Sequence, residues 1–109
     1  MANSNYHIVL CTCPDNETAG IIANTLVDKR LAACVNILPN VRSVYRWQGA
    51  RATSDESLLI IKSAVIIFPQ LQAAILELHP YELPEIVAVP VTGGLPTYLD
   101  WIGRESDGA

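Results

Sequence analysis

The sequence predicts an α+β fold in which the elements run in the order βαββαβ and a short helix follows the last strand. A β-branched run opens the chain, one amphipathic helical stripe follows it, and two long extended segments then occur with no helical pattern between them. This order is typical of the split βαβ, or ferredoxin-like, arrangement and predicts an antiparallel sheet. A doubly wound parallel sheet is disfavoured, because it would need a helix between the second and third strands.

The first strand and the first helix have clear signals. Residues 6–13, "YHIVLCTC", are apolar and β-branched enough for a central strand, and "PDNE" ends it. Pro14 suits the first position of a helix, and Asp15 and Glu17 complement the helix dipole there. The buried stripe of this helix is predicted to be Ala19, Ile22, Ala23, Leu26 and Val27.

A long β-hairpin is predicted next. Residues 33–48 are extended, with a break at Pro39-Asn40 where a bulge or bend is expected. A straight strand of that length would span about 50 Å, whereas a domain of this size has a radius of gyration of about 13 Å. The strand must therefore bend or project. Gly49 marks a turn, and "LLIIKS" belongs to the returning strand.

The remaining elements follow from helical spacing and from prolines. The second helix is predicted to begin near Phe68 and to end before Pro80, and "EIVAVPV" is the fourth strand. The apolar face of that helix comprises Phe68, Leu71, Ile75 and Leu78. A short closing helix, "PTYLDWIG", is expected to turn Tyr98, Trp101 and Ile102 inward, and "RESDGA" is expected to be a frayed tail.

Length and composition limit the class of protein. The 109 residues fit one domain, and 50% of them are hydrophobic, which is high for a chain whose small size limits burial. Some apolar surface is therefore expected in a subunit interface. The net charge of −4 argues against nucleic acid as a partner, because affinity for a phosphate backbone comes from accumulated Lys and Arg.

The same features predict a cytoplasmic protein with no membrane partner. No apolar stretch reaches the length that spans a bilayer, and residues 1–6 lack the basic and apolar regions of a signal peptide. Three cysteines, an odd number without a dense framework, suit reduced thiols better than disulfides.

Few residues indicate catalysis. The sequence has no Gly-rich phosphate loop after the first strand, no nucleophile elbow, no HExxH and no CxxC, so no catalysed reaction is predicted. The densest polar and aromatic segment is "LHPYELPE", on a loop where sites tend to lie. In it, His79 is either a ligand or a histidine that caps the preceding helix. Lys62, at the end of "LLIIK", either binds a ligand or extends its charge to solvent from a strand end.

Cysteines and aromatic residues leave further alternatives open. Cys11 and Cys13 share one face of the first strand. The pair is interpreted as a metal site, as a redox pair or as two small hydrophobic residues. Tyr45 and Trp47 share a strand face, and packing against a neighbouring subunit is favoured over stacking on a ligand. Cys34 is interpreted as a core thiol. Arg42 and Arg46 are interpreted as solvated rather than as an anion site.

Five segments together resemble the CutA divalent-cation tolerance proteins. They are "LCTCPDNETA", "LVDKRLAACVNILPNVRSVYRWQG", "LLIIKS", "HPYELPEIVAVPV" and "YLDWI", and the resemblance covers residues 6–102 of a single domain predicted to span 1–109. It implies a ferredoxin-like protomer, a homotrimer built through the long strands, a link to tolerance of copper and other divalent metals, and kinship with the trimeric PII signalling proteins.

The resemblance also implies site residues. Cys11 and His79 match positions to which metal binding is assigned in the family, although Leu78 stands where some members have a second histidine. Ala50-Arg51 after "WQG" and the apolar "AVII" before Phe68 are further departures. Thiolate and imidazole suit copper, and two such ligands hold Cu(I) more readily than Zn(II), whose structural sites usually take four.

Two hypotheses about function follow. In the first, Cys11 and His79, from the same or an adjacent subunit, bind copper or another divalent cation, and Cys13 serves structure or adds a second sulfur. In the second, a PII-like sensor binds a small organic or anionic ligand in a cleft between subunits. The residues predicted for that cleft are Trp47, Lys62, Tyr81 and Glu85.

Overall fold

The computed structural model describes residues 4–109, so the expectation about residues 1–6 lies partly outside the described residues. Four strands form one antiparallel sheet in the order β2-β3-β1-β4 within that range. They are β1 (Tyr6–Cys13), β2 (Cys34–Trp47), β3 (Ala50–Ala64) and β4 (Val87–Pro90). The helices are α1 (Asn16–Asp28), α2 (Phe68–Leu78) and α3 (Pro96–Glu105), and a 3-10 turn, Val65–Ile67, precedes α2. The predicted ferredoxin-like order and the C-terminal helix are confirmed.

The hydrophobic core lies between the sheet and the pair α1 and α2. Along β1 every second residue is buried, so one face of this central strand meets the helices. The largest fully buried apolar side chains are Val9, Ile22, Leu26, Leu59, Ile61, Leu71 and Ile75. The four that lie on helices, Ile22, Leu26, Leu71 and Ile75, belong to the apolar stripes that the sequence predicts.

The helix ends differ slightly from prediction. Asp15 is the N-cap of α1 and accepts a hydrogen bond from the Thr18 N–H at 2.7 Å, so the helix begins at Asn16 and Pro14 lies outside it. Val27 and Leu78, which were predicted to be buried, are 41% and 36% exposed. Both lie near the C-terminal ends of their helices.

The long hairpin of β2 and β3 projects from the domain, as predicted from the length of its strands. The register of β2 shifts between Leu38 and Val41, and Asn40 adopts a φ of 63°, which confirms the predicted bulge. Gln48 and Gly49 form a two-residue turn with φ values of 52° and 82°, as expected for a type I′ hairpin. Most of β2 is exposed, and the longest dimension of the chain is 43 Å.

The sheet face opposite α1 and α2 remains largely uncovered; we call it the open face. The strand registers place Ile8, Leu10, Leu58, Ile60, Val87 and Val89 on it. Of the helices within residues 4–109, α3 packs on this face, at the end near Tyr6 and Lys62. The described range contains no helix long and apolar enough to cross a membrane.

The C-terminal segment is ordered against the rest of the chain, so the prediction of a frayed tail was wrong. Ser106 is fully buried, and its hydroxyl donates to the Ile102 carbonyl and accepts from the Ala64 N–H at 3.0 Å. The Gly108 N–H donates to the Arg30 carbonyl at 2.9 Å. Asp107 pairs with the Arg30 guanidinium at 2.7 Å. These contacts fasten the tail to the end of α1 and to β3.

The face that α3 presents to the sheet is also narrower than predicted. Ile102 is buried as expected, but Trp101 is only half-buried and Tyr98 is 39% exposed. Tyr98 lies above Lys62 on the open face, where solvent reaches both side chains.

Candidate metal centre and adjoining cavity

Three potential metal ligands meet at the C-terminal end of β1. Cys11 and Cys13 are both fully buried on the core face of the strand, and His79 follows α2 and is 8% exposed. One ligand atom from each residue lies within 4.8 Å of the other two. The structure thus brings the predicted pair, Cys11 and His79, together within one chain and adds the second sulfur of Cys13.

Two hydrogen bonds orient the His79 ring. Its Nε2 lies 2.8 Å from the Thr12 carbonyl, which only accepts, so Nε2 carries the proton. The backbone N–H of Tyr81 donates to Nδ1 at 3.2 Å, so Nδ1 carries the lone pair. His79 is the C-cap residue of α2, and its backbone N–H donates to the Ile75 carbonyl at 2.8 Å, as in the capping alternative, but its ring bonds to β1 rather than to the last carbonyls of the helix. A metal ion bound to the ring would have to replace one of the ring's two hydrogen bonds.

The thiols of Cys11 and Cys13 influence each other's pKa. The pKa of the Cys11 thiol is raised by its hydrogen bond to Cys13 first, then by burial and by the nearby negative charges of Cys13, Glu85 and Glu56. The pKa of Cys13 is lowered, because its interaction with Cys11 outweighs burial and the nearby charges of Asp15 and Glu56. Of the two thiols, Cys13 is therefore the one that more readily loses its proton. The sequence left a ligand role for Cys13 open, and only the side-chain alternation of the strand indicated it.

The donor set of two sulfurs and one imidazole fits a soft cation. Copper(I) accepts low coordination numbers and prefers sulfur and imidazole, so these residues suit it without a further ligand. A structural zinc site would need a fourth donor. The cluster lies beneath the surface, where bound metal would be shielded from solvent. All three cysteines are free thiols.

A cavity of about 630 Å³ lies beside this cluster. Its lining comprises Thr12, Ser43, Val44, Tyr45, Arg46, Trp47, Glu56, Tyr81, Glu82, Leu83 and Glu85. The Tyr81 hydroxyl donates to Glu56 Oε2 at 2.7 Å. Burial, followed by the bond to Glu56, raises the pKa of Tyr81. Tyr81 therefore remains a neutral hydrogen-bond donor.

The cavity contains three of the four residues predicted to bind a ligand. Trp47, Tyr81 and Glu85 line it, but Lys62 does not. The Lys62 amine lies 5.9 Å from the centre of the Tyr98 ring, towards the other end of the sheet. Sequence reasoning missed Glu56, the most buried acid of the lining, because it lies in a polar run. Counting alternate residues back from Leu58 would have placed it on the open face.

The metal cluster and the cavity occupy opposite faces of one strand end. Cys11 and Cys13 point to the core, whereas Thr12, between them, lines the cavity. The segment after α2 passes from one face to the other. His79 belongs to the cluster, and the ring of Tyr81, 4.7 Å away between ring centres, belongs to the cavity.

Comparisons with known proteins agree with this architecture. A family model described as "CutA1 divalent ion tolerance protein" matches residues 7–105. The divalent-cation tolerance protein CutA of Thermus thermophilus is 50% identical over 93% of this chain and 97% of its own length. Protein CutA of Mus musculus is 43% identical over 88% of this chain, which spans 54% of the mouse protein.

Solved structures show the same fold. The divalent cation tolerance protein of Thermus thermophilus superposes with a TM-score of 0.91 and 46% identity, covering 93% of this chain and 98% of its own. CutA of Xylella fastidiosa gives 0.92 and 46%, covering 95% and 100%. An Archaeoglobus fulgidus structure, with a TM-score of 0.90, 34% identity and coverage of 94% and 99%, is described as a periplasmic divalent cation tolerance protein. This chain belongs to the CutA1 divalent ion tolerance family.

Proposed function

We propose that this protein is a homotrimeric divalent-cation tolerance protein that binds copper, or another thiophilic metal ion, at Cys11 and His79 with Cys13 as an additional sulfur ligand. Three buried ligand atoms within 4.8 Å of one another support this site. The function is binding rather than catalysis. Reduced thiols at the site suit the cytoplasm, where cysteines persist without pairing.

A trimer is supported by the apolar face and the unpaired strand edges that a single copy exposes. The open face carries apolar side chains from three strands, and β2 and β4 are edges on opposite sides of the sheet. Exposed edges and apolar faces promote association unless another chain covers them. Pairing β2 of one copy with β4 of the next gives a head-to-tail contact that can close into a ring. Light scattering should give about three times the 11.9 kDa chain mass, and a persistent monomer would contradict the trimer.

Copper affinity tests the site. Cu(I) should be titrated against a competing chelator with Cys11→Ser, Cys13→Ser and His79→Ala. Cys34→Ser provides a matched control, because Cys34 is the one thiol outside the cluster. Loss of a soft ligand should weaken binding at least about tenfold, and the control should not change. Unchanged affinity in both Cys11→Ser and His79→Ala, with the trimer intact, would contradict the site.

A second candidate function is a PII-like sensor of a small ligand. The grouping of Trp47, Tyr81 and Glu85 around one cavity favours it, because ligand sites combine apolar walls with a few polar groups. Differential scanning fluorimetry against metabolites and metals separates the two functions, since a ligand bound to the folded state raises the melting temperature. Stabilisation by metabolites that is lost in Trp47→Leu supports the sensor. Stabilisation by metals alone supports the metal site.

A further inference from the structure

We propose that the cavity binds the ammonium head group of a small organic cation, with Glu56 as the counter-ion and Tyr45, Trp47 and Tyr81 as aromatic walls. This inference rests on the second candidate function and names the class of ligand. A methylated ammonium suits the site better than a primary one, because it is weakly hydrated and aromatic faces attract it.

Glu56 lacks the positive charge that a buried carboxylate requires. It is 8% exposed, and only its Oε2 accepts a hydrogen bond, from Tyr81. In residues 4–109, the ion pairs involve Arg30 and the acids of the tail, and none involves Glu56. A buried carboxylate is costly without a cation to compensate it.

The second oxygen of Glu56 is open to a ligand. Among the described residues, every fully enclosed side-chain nitrogen or oxygen has a hydrogen-bond partner. Oε1 of Glu56 accepts no such bond, so it is not sealed within the protein. Because the side chain reaches the hydroxyl of Tyr81, it points into the cavity that both residues line. This oxygen is positioned to contact a cationic group there.

The lining selects a cation over an anion. Glu56, Glu82 and Glu85 line the cavity with Arg46 as the only basic residue in the lining. Lys62, the residue that would have favoured an anionic ligand, lies elsewhere. Net negative charge in a recess with apolar walls raises the local concentration of cations.

The aromatic residues decide between an organic cation and a hard metal ion. Tyr45 and Trp47 both line the cavity, and within one copy their side chains are 41% and 42% exposed. Hard metal ions prefer six or more oxygen ligands, whereas aromatic faces attract ammonium groups. The volume, about 630 Å³, leaves room for an apolar tail beside the head group.

Isothermal titration calorimetry of the intact oligomer, freed of metal with a chelator, tests this inference. The probes are choline and its neutral isostere 3,3-dimethyl-1-butanol, which differ in charge and share their shape. Choline should bind about tenfold more tightly than the isostere, within the range of cation–aromatic attraction. Glu56→Gln keeps an acceptor for the Tyr81 hydroxyl and should weaken choline binding about tenfold. Glu77→Gln, on the exposed face of α2, should leave it unchanged.

Each outcome separates the ligand class from the sensor function. Equal binding of the two probes, or unchanged choline affinity in Glu56→Gln, overturns the inference. Anionic or neutral metabolites that bind in a Trp47-dependent manner while choline does not would overturn it and leave the sensor standing. If none of these compounds binds, the result overturns both the inference about the cation and the sensor function. That result is expected if a basic residue of a second copy fills the cavity. Should Glu56→Gln not assemble, Trp47→Leu must abolish the preference for choline.

Discussion

Replacing Ser106 with alanine tests whether the C-terminal tail is part of the fold. The Ser106 hydroxyl is the partner of the Ala64 N–H, at the end of β3, and the residue is fully buried. Ser106→Ala removes the acceptor and leaves that N–H without a partner in a site too enclosed for water to replace it. The cost of a buried unsatisfied donor is about 1–3 kcal/mol, so the free energy of unfolding should fall by that amount. Urea denaturation at a fixed protein concentration measures it, because assembly contributes to the stability.

Asp107→Asn is the matched control. Its carboxylate pairs with Arg30 at the solvent-exposed surface, where ion pairs contribute little. We therefore expect a much smaller change from this neighbouring substitution than from Ser106→Ala. If Ser106→Ala unfolds at the same urea concentration as the parent, the tail does not stabilise the domain, and the frayed end predicted from its polar composition is the better description.

Three further predictions concern the core, the pH dependence and the hairpin. Ile22→Ala should cost about 2–5 kcal/mol, because Ile22 is fully buried, whereas Ile21→Ala at its 51% exposed neighbour should change stability by less than about 0.5 kcal/mol in the same assay. Burial lowers the pKa of His7 below its ordinary 6.5, so the unfolded chain takes up this proton first. The contribution of neutral His7 to the free energy of unfolding should be complete above pH 6.5 and should decline as the pH falls below that value. Denaturation curves from pH 7.5 to 5.5 should show this loss of stability, and His7→Gln should make the loss smaller. Gly49→Ala should destabilise the hairpin by about 1 kcal/mol, because alanine is strained at a φ of 82°, and an unchanged melting temperature would contradict that reasoning.

The sequence predicted the fold and the shared face of the two cysteines through local periodicity, whereas the pairing of Cys11 with His79 came from the family resemblance. Alternation along β1 placed Cys11 and Cys13 on one face, and the helical stripes selected Ile22 and Leu71 as core residues. The cavity was harder to predict, because its members come from distant segments. Lys62 and Glu56 lie on the same strand, but six residues of extended chain separate them by about 20 Å. The presence of a charge alone gave no reason to predict Glu56 rather than Lys62 as a cavity residue.

The tail was missed for a related reason. Arg30 and Asp107 are 77 residues apart in the sequence, and neither lies in a periodic pattern. A polar, glycine-containing end is typical of fraying, and only the tertiary position of the α1 terminus reverses that expectation.

One short segment, from His79 to Tyr81, contributes to both the proposed metal site and the cavity, so we expect the two sites to be coupled energetically. His79, in the proposed metal site, accepts a hydrogen bond from the Tyr81 N–H, and the same tyrosine donates through its hydroxyl to Glu56 in the cavity. By thermodynamic linkage, any factor by which metal changes the affinity of the cavity for its ligand is also the factor by which that ligand changes the affinity for metal. A metal titration at saturating ligand therefore measures the same coupling free energy as the reverse titration, and His79 and Tyr81 are the residues through which that energy passes.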